Sequence, residues 1–241
     1  MTDRPTVWER DEPAARPAPS PLSRERIVRA AVELADAEGL EAVSLRRVAG
    51  LLGSGPMRLY RYIDTKDELL ELLVDTVYRE IPVPTGQDWS AVLRSVADGL
   101  RDAARRHEWF AELLDGRPRL GPGQLAHTEA VLAALHATPG FEDMATVAWV
   151  YEVFAVYLTG AVRKEIAERR NERDSGLDEQ QWQHSEGPFL TRMLATGDYP
   201  TLERFVNDAP YLDAPQVFAL GLDCLLAGVA RRAGLPEPSS T

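Results

Sequence analysis

The stretch SLRRVAGLLGSGPMRLYRYI, residues 44–63, sets two short helical patterns on either side of a glycine. Ser44 can cap a helix that carries Leu45, Val48, Ala49 and Leu52 on one face, with Val43 and Val48 placed as a hydrophobic staple. Gly53 supplies the turn, and Ser54 can cap a second helix with Pro56 in its first turn, where a missing N–H costs nothing. If Leu59 and Ile63 face a core, Gly55 lies on their side, where the lack of a side chain would let helices approach closely. Met57 and Arg61 then point away, flanked by Arg58 and Tyr60. Two such helices make a helix-turn-helix, in which the second lies in the DNA major groove while the first crosses the backbone. An outer face of Arg, Met and Tyr suits that groove, since Arg can bond guanine bidentately and an apolar tip can meet a thymine methyl. Arg46, in the first turn of its helix, and Lys66, at the start of the next, are placed to clamp phosphates.

Outward from this motif the pattern stays helical. Upstream, Ser23 can cap a helix with Leu22 and Ile27 as its staple and Ile27, Ala30, Ala31, Leu34 and Ala35 on one face; Gly39 supplies a left-handed stop. Downstream, Thr65-Lys66-Asp67-Glu68 has the form of a capping box opening a long helix through Leu69, Leu70, Leu72, Leu73, Val77 and Ile81. Pro82-Val83-Pro84-Thr85-Gly86 ends it. Further helices are expected near 88–107, 108–115, 123–137, 143–173, 178–195, 201–207 and 214–233. No alternating run is long enough for a strand, so the expected class is all-α: an N-terminal helix-turn-helix DNA-binding domain followed by a helical ligand-binding and dimerisation domain. The expected divisions are a disordered Pro/Ala/Arg-rich arm (1–20), the DNA-binding head (21–66), a connecting helix and linker (67–86), the body (87–235) and a tail (236–241).

Charge is distributed to match. The chain carries 27 Lys and Arg against 38 Asp and Glu, a net −11, which on its face speaks against nucleic acid. Between Pro21 and Lys66, however, eight basic residues outnumber six acids. A mildly basic head on an acidic body fits a molecule that meets phosphate on one small face only. The start of the chain lacks the apolar stretch of a signal peptide, and no run approaches the roughly 18 uncharged apolar residues of a membrane span. A cytoplasmic protein with no membrane partner is expected. Cys224 stands alone, and the expectation for it is a small buried hydrophobe.

Residues 22–73 resemble the DNA-binding head of the TetR family of transcriptional regulators. The resemblance rests on Ala31-x-Glu33-Leu34 and Gly39, on Ser44-Leu45-Arg46-Arg47-Val48-Ala49, on Leu59-Tyr60-x-Tyr62, and on Lys66-x-x-Leu69-Leu70. It implies a homodimer reading a pseudo-palindromic operator in double-stranded DNA. Arg46, Gly55, Met57, Arg58, Tyr60, Arg61, Tyr62 and Lys66 make up the implied DNA-binding segment. Arg58 departs from the Ser or Thr of many members and adds a charge to the reading face. The body is similar to the C-terminal domain of tetracycline-repressor-type members through Arg117-Pro118 followed by Gly121-Pro122, and through Phe218-x-x-Gly221-Leu222-x-x-Leu225-Leu226. In the tetracycline repressors a metal-holding histidine stands four residues before that Arg-Pro pair. Leu113 occupies the position here, which implies an effector bound without metal or cofactor.

Aromatic residues in the body recur at helical spacing. Trp109, Phe110, Leu113, Arg117, Trp149, Phe154, Tyr157, Phe189 and Met193 are the expected ligand-binding set, an apolar cavity for a small lipophilic effector. The helices near 144–165 and 214–232 are apolar on more than one face and contain Ala148, Ala155, Gly160, Gly221, Ala227 and Gly228, so a dimer four-helix bundle is expected there. Enzymatic readings find little support. His107, His127, His136 and His184 have no metal spacing and no nucleophile motif beside them, so surface or capping roles are expected for them. The alternative reading is a helical-bundle small-molecule binding protein, or an enzyme with scattered catalytic residues, without a DNA-binding role.

Overall fold

The computed structural model describes residues 6–13, 22–114, 121–177 and 188–238. Helices α1 (Arg24–Glu38), α2 (Leu45–Leu51), α3 (Pro56–Leu59) and α4 (Lys66–Glu80) build the head, and α5 (Trp89–Arg106), α6 (Phe110–Leu113), α7 (Pro122–His136) and α8 (Met144–Ser175) follow. Residues 188–194 form α9; α10 (Pro200–Asp208) and α11 (Ala214–Ala233) complete the chain. No strand occurs among the described residues, so the class is all-α. The chain divides into two compact units, Met1–Val162 and Arg163–Thr241, with the division inside α8.

In the first unit the head closes over Ile27, Ala31, Ala35, Val43, Val48, Ala49, Leu59, Ile63, Leu69 and Leu73, all buried. Three caps fix where its helices begin: Ser23 Oγ accepts from Arg26 N, Ser44 Oγ from Arg47 N and Thr65 Oγ1 from Glu68 N, at 3.2, 3.2 and 3.1 Å. Each such bond satisfies one orphan amide and is worth about 1 kcal/mol. Behind the head, α4 packs against α5, α6 and α7, and α5 against α7.

Several expectations are corrected here. Ser54 does not cap α3. Its N–H donates to Ala49 O (2.9 Å) and that of Gly53 to Gly50 O (3.1 Å), with Gly53 at φ 60°. This is a Schellman ending of α2, which places Gly55 at the α3 N-cap. Nor does Gly55 serve a close helix contact, because a Cβ built on it meets nothing within 4 Å. The capping box at α4 is displaced by one residue: the Glu68 carboxylate accepts the N–H of Asp64 at 2.7 Å rather than that of Thr65. The helix expected at 108–115 is one turn, Phe110–Leu113.

Of the arm, residues 6–13 are described. Thr6 and Glu9 close a turn through Thr6 N to Glu9 Oε2 (2.8 Å) and Glu9 N to Thr6 O (3.1 Å), and Val7 is fully buried. Arg10 then pairs with Asp64 and Glu68 of the head, and Glu12 accepts the N–H of Arg24 at the start of α1. Cys224 is exposed rather than buried. Both α8 and α11 are long and apolar enough to cross a membrane by length and composition, though Glu152 and Asp223 interrupt their apolar runs, and 28% of each apolar window is buried.

Candidate functional site

The head presents one face of exposed side chains. Leu59 and Ile63 are fully buried, and this turns Met57 outward at 78% exposure with Arg58, Tyr60 and Arg61 exposed beside it. The helical path continues past α3 through Tyr60 N to Pro56 O (3.2 Å) and Ile63 N to Leu59 O (3.0 Å), so these side chains share one ridge. Arg46, in the first turn of α2, and Lys66, the first residue of α4, are exposed as well. Arg47 is engaged by Glu38; no ion pair among the described residues engages Arg46, Arg58, Arg61 or Lys66. Four unneutralised cations around an apolar tip form a surface suited to phosphates and base edges. Tyr62 is the exception among the expected contacts. It is buried, and its hydroxyl donates to Leu22 O at 2.9 Å, bracing the ridge from behind.

The first unit also holds a cavity of about 230 Å³. Its apolar wall comes from Val74 of α4, Val96 and Leu100 of α5, Leu113 of α6, Val131 of α7, and Phe154 and Leu158 of α8. Polar groups interrupt it at Tyr78, Gln124, His127, Thr128, Tyr151, Glu152 and Thr159. Burial, reinforced by Tyr151, pushes the Tyr78 phenol well above its ordinary pKa, so it stays neutral. His127 is buried and takes the capping role of the two expected, surface or capping, against the C-terminal carbonyls of α4. Its Nε2 lies 3.1 Å from Tyr78 O and 3.2 Å from Ile81 O. Carbonyl oxygens only accept, so Nε2 carries the hydrogen, and Nδ1 is left without a partner.

Of the expected ligand-binding residues, Leu113 and Phe154 line this cavity. Phe110 stands one layer behind, edge-on to Tyr78 with ring centroids 5.5 Å apart. Trp109 is core, and its Nε1 donates to Asp36 Oδ1 of α1 at 2.7 Å. Trp149 and Tyr157 are not among the described lining residues. Phe189 and Met193 belong to the second unit, where Phe189 is exposed. Arg117 lies outside the described residues. The lining missed in the sequence, Gln124, His127 and Thr128 with Val131, falls at i, i+3, i+4 and i+7 on α7, so a polar stripe on an otherwise apolar helix was the available signal.

The cavity wall is tied to the head at three points. Asp75 of α4, buried, accepts Gly123 N at 2.6 Å and pairs with Arg79 Nε at 2.7 Å. The approach is so close that a Cβ on Gly121 would stand 2.3 Å from Asp75 Oδ1. His127 holds the C-terminal carbonyls of α4, as above. Beside α6, His107 sits between Asp36 of α1 (Nδ1 to Oδ1, 2.8 Å) and Glu80 of α4 (Nε2 to Oε2, 3.1 Å).

Comparison with known proteins agrees with this geometry. Residues 27–73 match the family described as bacterial regulatory proteins, tetR family, and residues 81–233 match the tetracyclin repressor-like C-terminal domain. The chain is 36% identical to the HTH-type transcriptional repressor DrrR1 of Streptomyces coeruleorubidus, covering 96% of this chain and 87% of that protein. It is 34% identical to an HTH-type transcriptional regulator of Saccharopolyspora erythraea, covering 95% and 93%. Among solved structures, ActR of Streptomyces coelicolor in complex with actinorhodin superposes with a TM-score of 0.75 at 28% identity, covering 91% of this chain and all of that one.

Proposed function

The chain belongs to the TetR family of DNA-binding transcriptional regulators, and from that premise we propose that it is a cytoplasmic homodimeric repressor. It holds a pseudo-palindromic operator and leaves it when a small lipophilic effector enters the cavity bounded by α4 to α8. The observation that carries this reading is α4 itself. Its first residue, Lys66, lies at the exposed DNA face, while Val74 and Tyr78 form part of the cavity wall. A ligand shifts an equilibrium only by its differential affinity for the two states. Movement of α7, held to α4 by Asp75 and His127, is the route by which filling the cavity re-aims the head. Leu113 in the wall supports an effector bound without metal, and the likeness to ActR, solved with actinorhodin, supports an organic one.

Arg58, Arg61, Met57 and Tyr60 read base edges in this scheme, and Arg46 and Lys66 hold phosphates. The test is selection of bound sequences from random duplex DNA, followed by competition with lipophilic aromatic compounds. A palindromic consensus released by at least one such compound is expected. An absence of any preferred sequence, or a consensus that no cavity-binding compound releases, overturns the proposal.

A further inference from the structure

Two side chains that line the cavity are left with buried, unpaired hydrogen-bonding atoms. Gln124 Oε1 and His127 Nδ1 have no partner among the described residues, and both residues line the cavity from one face of α7. Both atoms are acceptors: the amide oxygen by nature, and Nδ1 in the neutral imidazole, whose one hydrogen sits on Nε2 and is committed to the carbonyls of Tyr78 and Ile81. Buried polar atoms are normally satisfied, and an unsatisfied acceptor penalises the empty state until something donates to it. The only charged side chain among the described lining residues is Glu152, which when ionised can also only accept, and no Lys or Arg stands with it.

We infer that the cavity selects a neutral or cationic aromatic molecule carrying two hydrogen-bond donors, such as phenolic hydroxyls, that satisfy Gln124 Oε1 and His127 Nδ1. This rests on the reading of the cavity as the effector site and adds the chemistry of what fits it. Tyr78, Tyr151 and Phe154 supply faces for the ring. The two acceptors are carried by residues one helical turn apart, whose Cβ atoms on a regular helix stand roughly 5–6 Å apart. Two donors on meta-related carbons of one ring have a comparable spacing. A carboxylate-bearing ligand meets Glu152 and two more acceptors, and among the described lining residues no Lys or Arg offsets them, so such a ligand is disfavoured.

The test uses the full chain and two probes, 1,3-dihydroxynaphthalene and its dimethyl ether, with binding followed by calorimetry and operator release by fluorescence anisotropy. The expected result is a dihydroxy probe binding at least about tenfold more tightly than the ether, the scale of one or two desolvated hydrogen bonds. Gln124→Leu and His127→Leu are each expected to bring that ratio towards one. The ratio is internal to each variant, so a change in stability does not imitate it. If His127→Leu fails to fold for want of its bonds to α4, Gln124→Leu carries the test. Equal affinity for both probes, no binding of either, or a ratio unchanged in the variants overturns the inference. A preserved ratio pattern with the operator still bound at saturation upholds the donor recognition and instead removes the effector reading of the cavity.

Discussion

Arg61 and Lys66 are both exposed and both without an ion-pair partner among the described residues, yet their positions give them different work. Arg61 stands on the outer ridge with Met57 and Arg58, so Arg61→Ala is expected to relax sequence preference by roughly 1–3 kcal/mol at one base pair in each half-site. Lys66 opens α4 at the edge of that ridge. Lys66→Ala should weaken all sequences alike and lower the salt slope by about one unit. Salt-dependent titrations against cognate and scrambled operators check this, and two mutants with the same profile would reverse the assignment. Arg10 acts at one remove. It engages Asp64 and Glu68, two residues before and two after Lys66 in sequence, so Arg10→Ala should unmask two negative charges next to the proposed phosphate clamp. A several-fold loss of operator affinity is expected, about 1 kcal/mol for partly exposed pairs. Asp64→Asn with Glu68→Gln should restore affinity if charge is the cause; failure of that rescue would leave only a packing role. Met57, Arg58 and Arg61 were legible in the sequence because their outward aim follows from Leu59 and Ile63 on a helical wheel. Arg10 was not, because its partners are more than fifty residues away and no periodicity announces a single anchor.

At the level of elements, boundaries set by local chemistry were legible and those set by tertiary contact were not. Ser23, Ser44 and Thr65 cap their helices as their types and positions suggest. Ser54 has the same credentials, but the Schellman ending at Gly53 claims its backbone for α2. The aromatic set shows the same limit: Trp109 and Phe110 have the composition of a pocket, but whether a ring faces a cavity or the layer behind depends on helices far away in sequence. Gly121 and Gly123 matter for contact as well, since the N-terminus of α7 sits on the buried Asp75. Gly121→Ala is therefore expected to destabilise the fold by about 1–3 kcal/mol through overpacking against that carboxylate. Asp75→Ala should cost about as much, by leaving the Gly123 amide unpaired. Urea unfolding measures both, and changes below about 0.5 kcal/mol would show that α7 does not depend on this contact. Asp36 gives a different readout. It joins α1 to Trp109 and His107, next to the α6 turn whose Leu113 lines the cavity. Asp36→Asn should leave effector affinity nearly unchanged while reducing operator release by an amount in the 0.5–2 kcal/mol range of coupling mutations. Full release at saturating effector would place the coupling in α4 alone.

For the molecule as a whole, the unresolved quantity in a single chain is exposed apolar surface. Val156 is 71% exposed on α8, with Val153 beside it one turn earlier, and Leu220 and Val217 are exposed on α11. Gly160 and Gly228 meet nothing within 4 Å of a built Cβ. Apolar helices with open faces are either membrane spans or interfaces, and in a family of DNA-binding regulators the second account fits. Two-fold pairing also meets a requirement of recognition, because one short ridge contacts few base pairs whereas two heads about 34 Å apart read two successive major-groove faces. The net charge of −11 then discourages non-specific binding, so in the proposed dimer specificity rests on both heads engaging together. The native protein is expected to sediment as a dimer at micromolar concentration, and Val156→Asp or Leu220→Asp to shift it towards monomer, since each would bury an unpaired charge. The operator sets the magnitude. Losing the second half-site should cost most of the specific affinity, and the dimer-defective variants should bind half-site and full-site DNA alike. A charged variant that remains dimeric would move the interface to other surfaces. A native monomer that still prefers a full palindrome would require the two heads to meet only on DNA, and binding would then become cooperative in protein concentration.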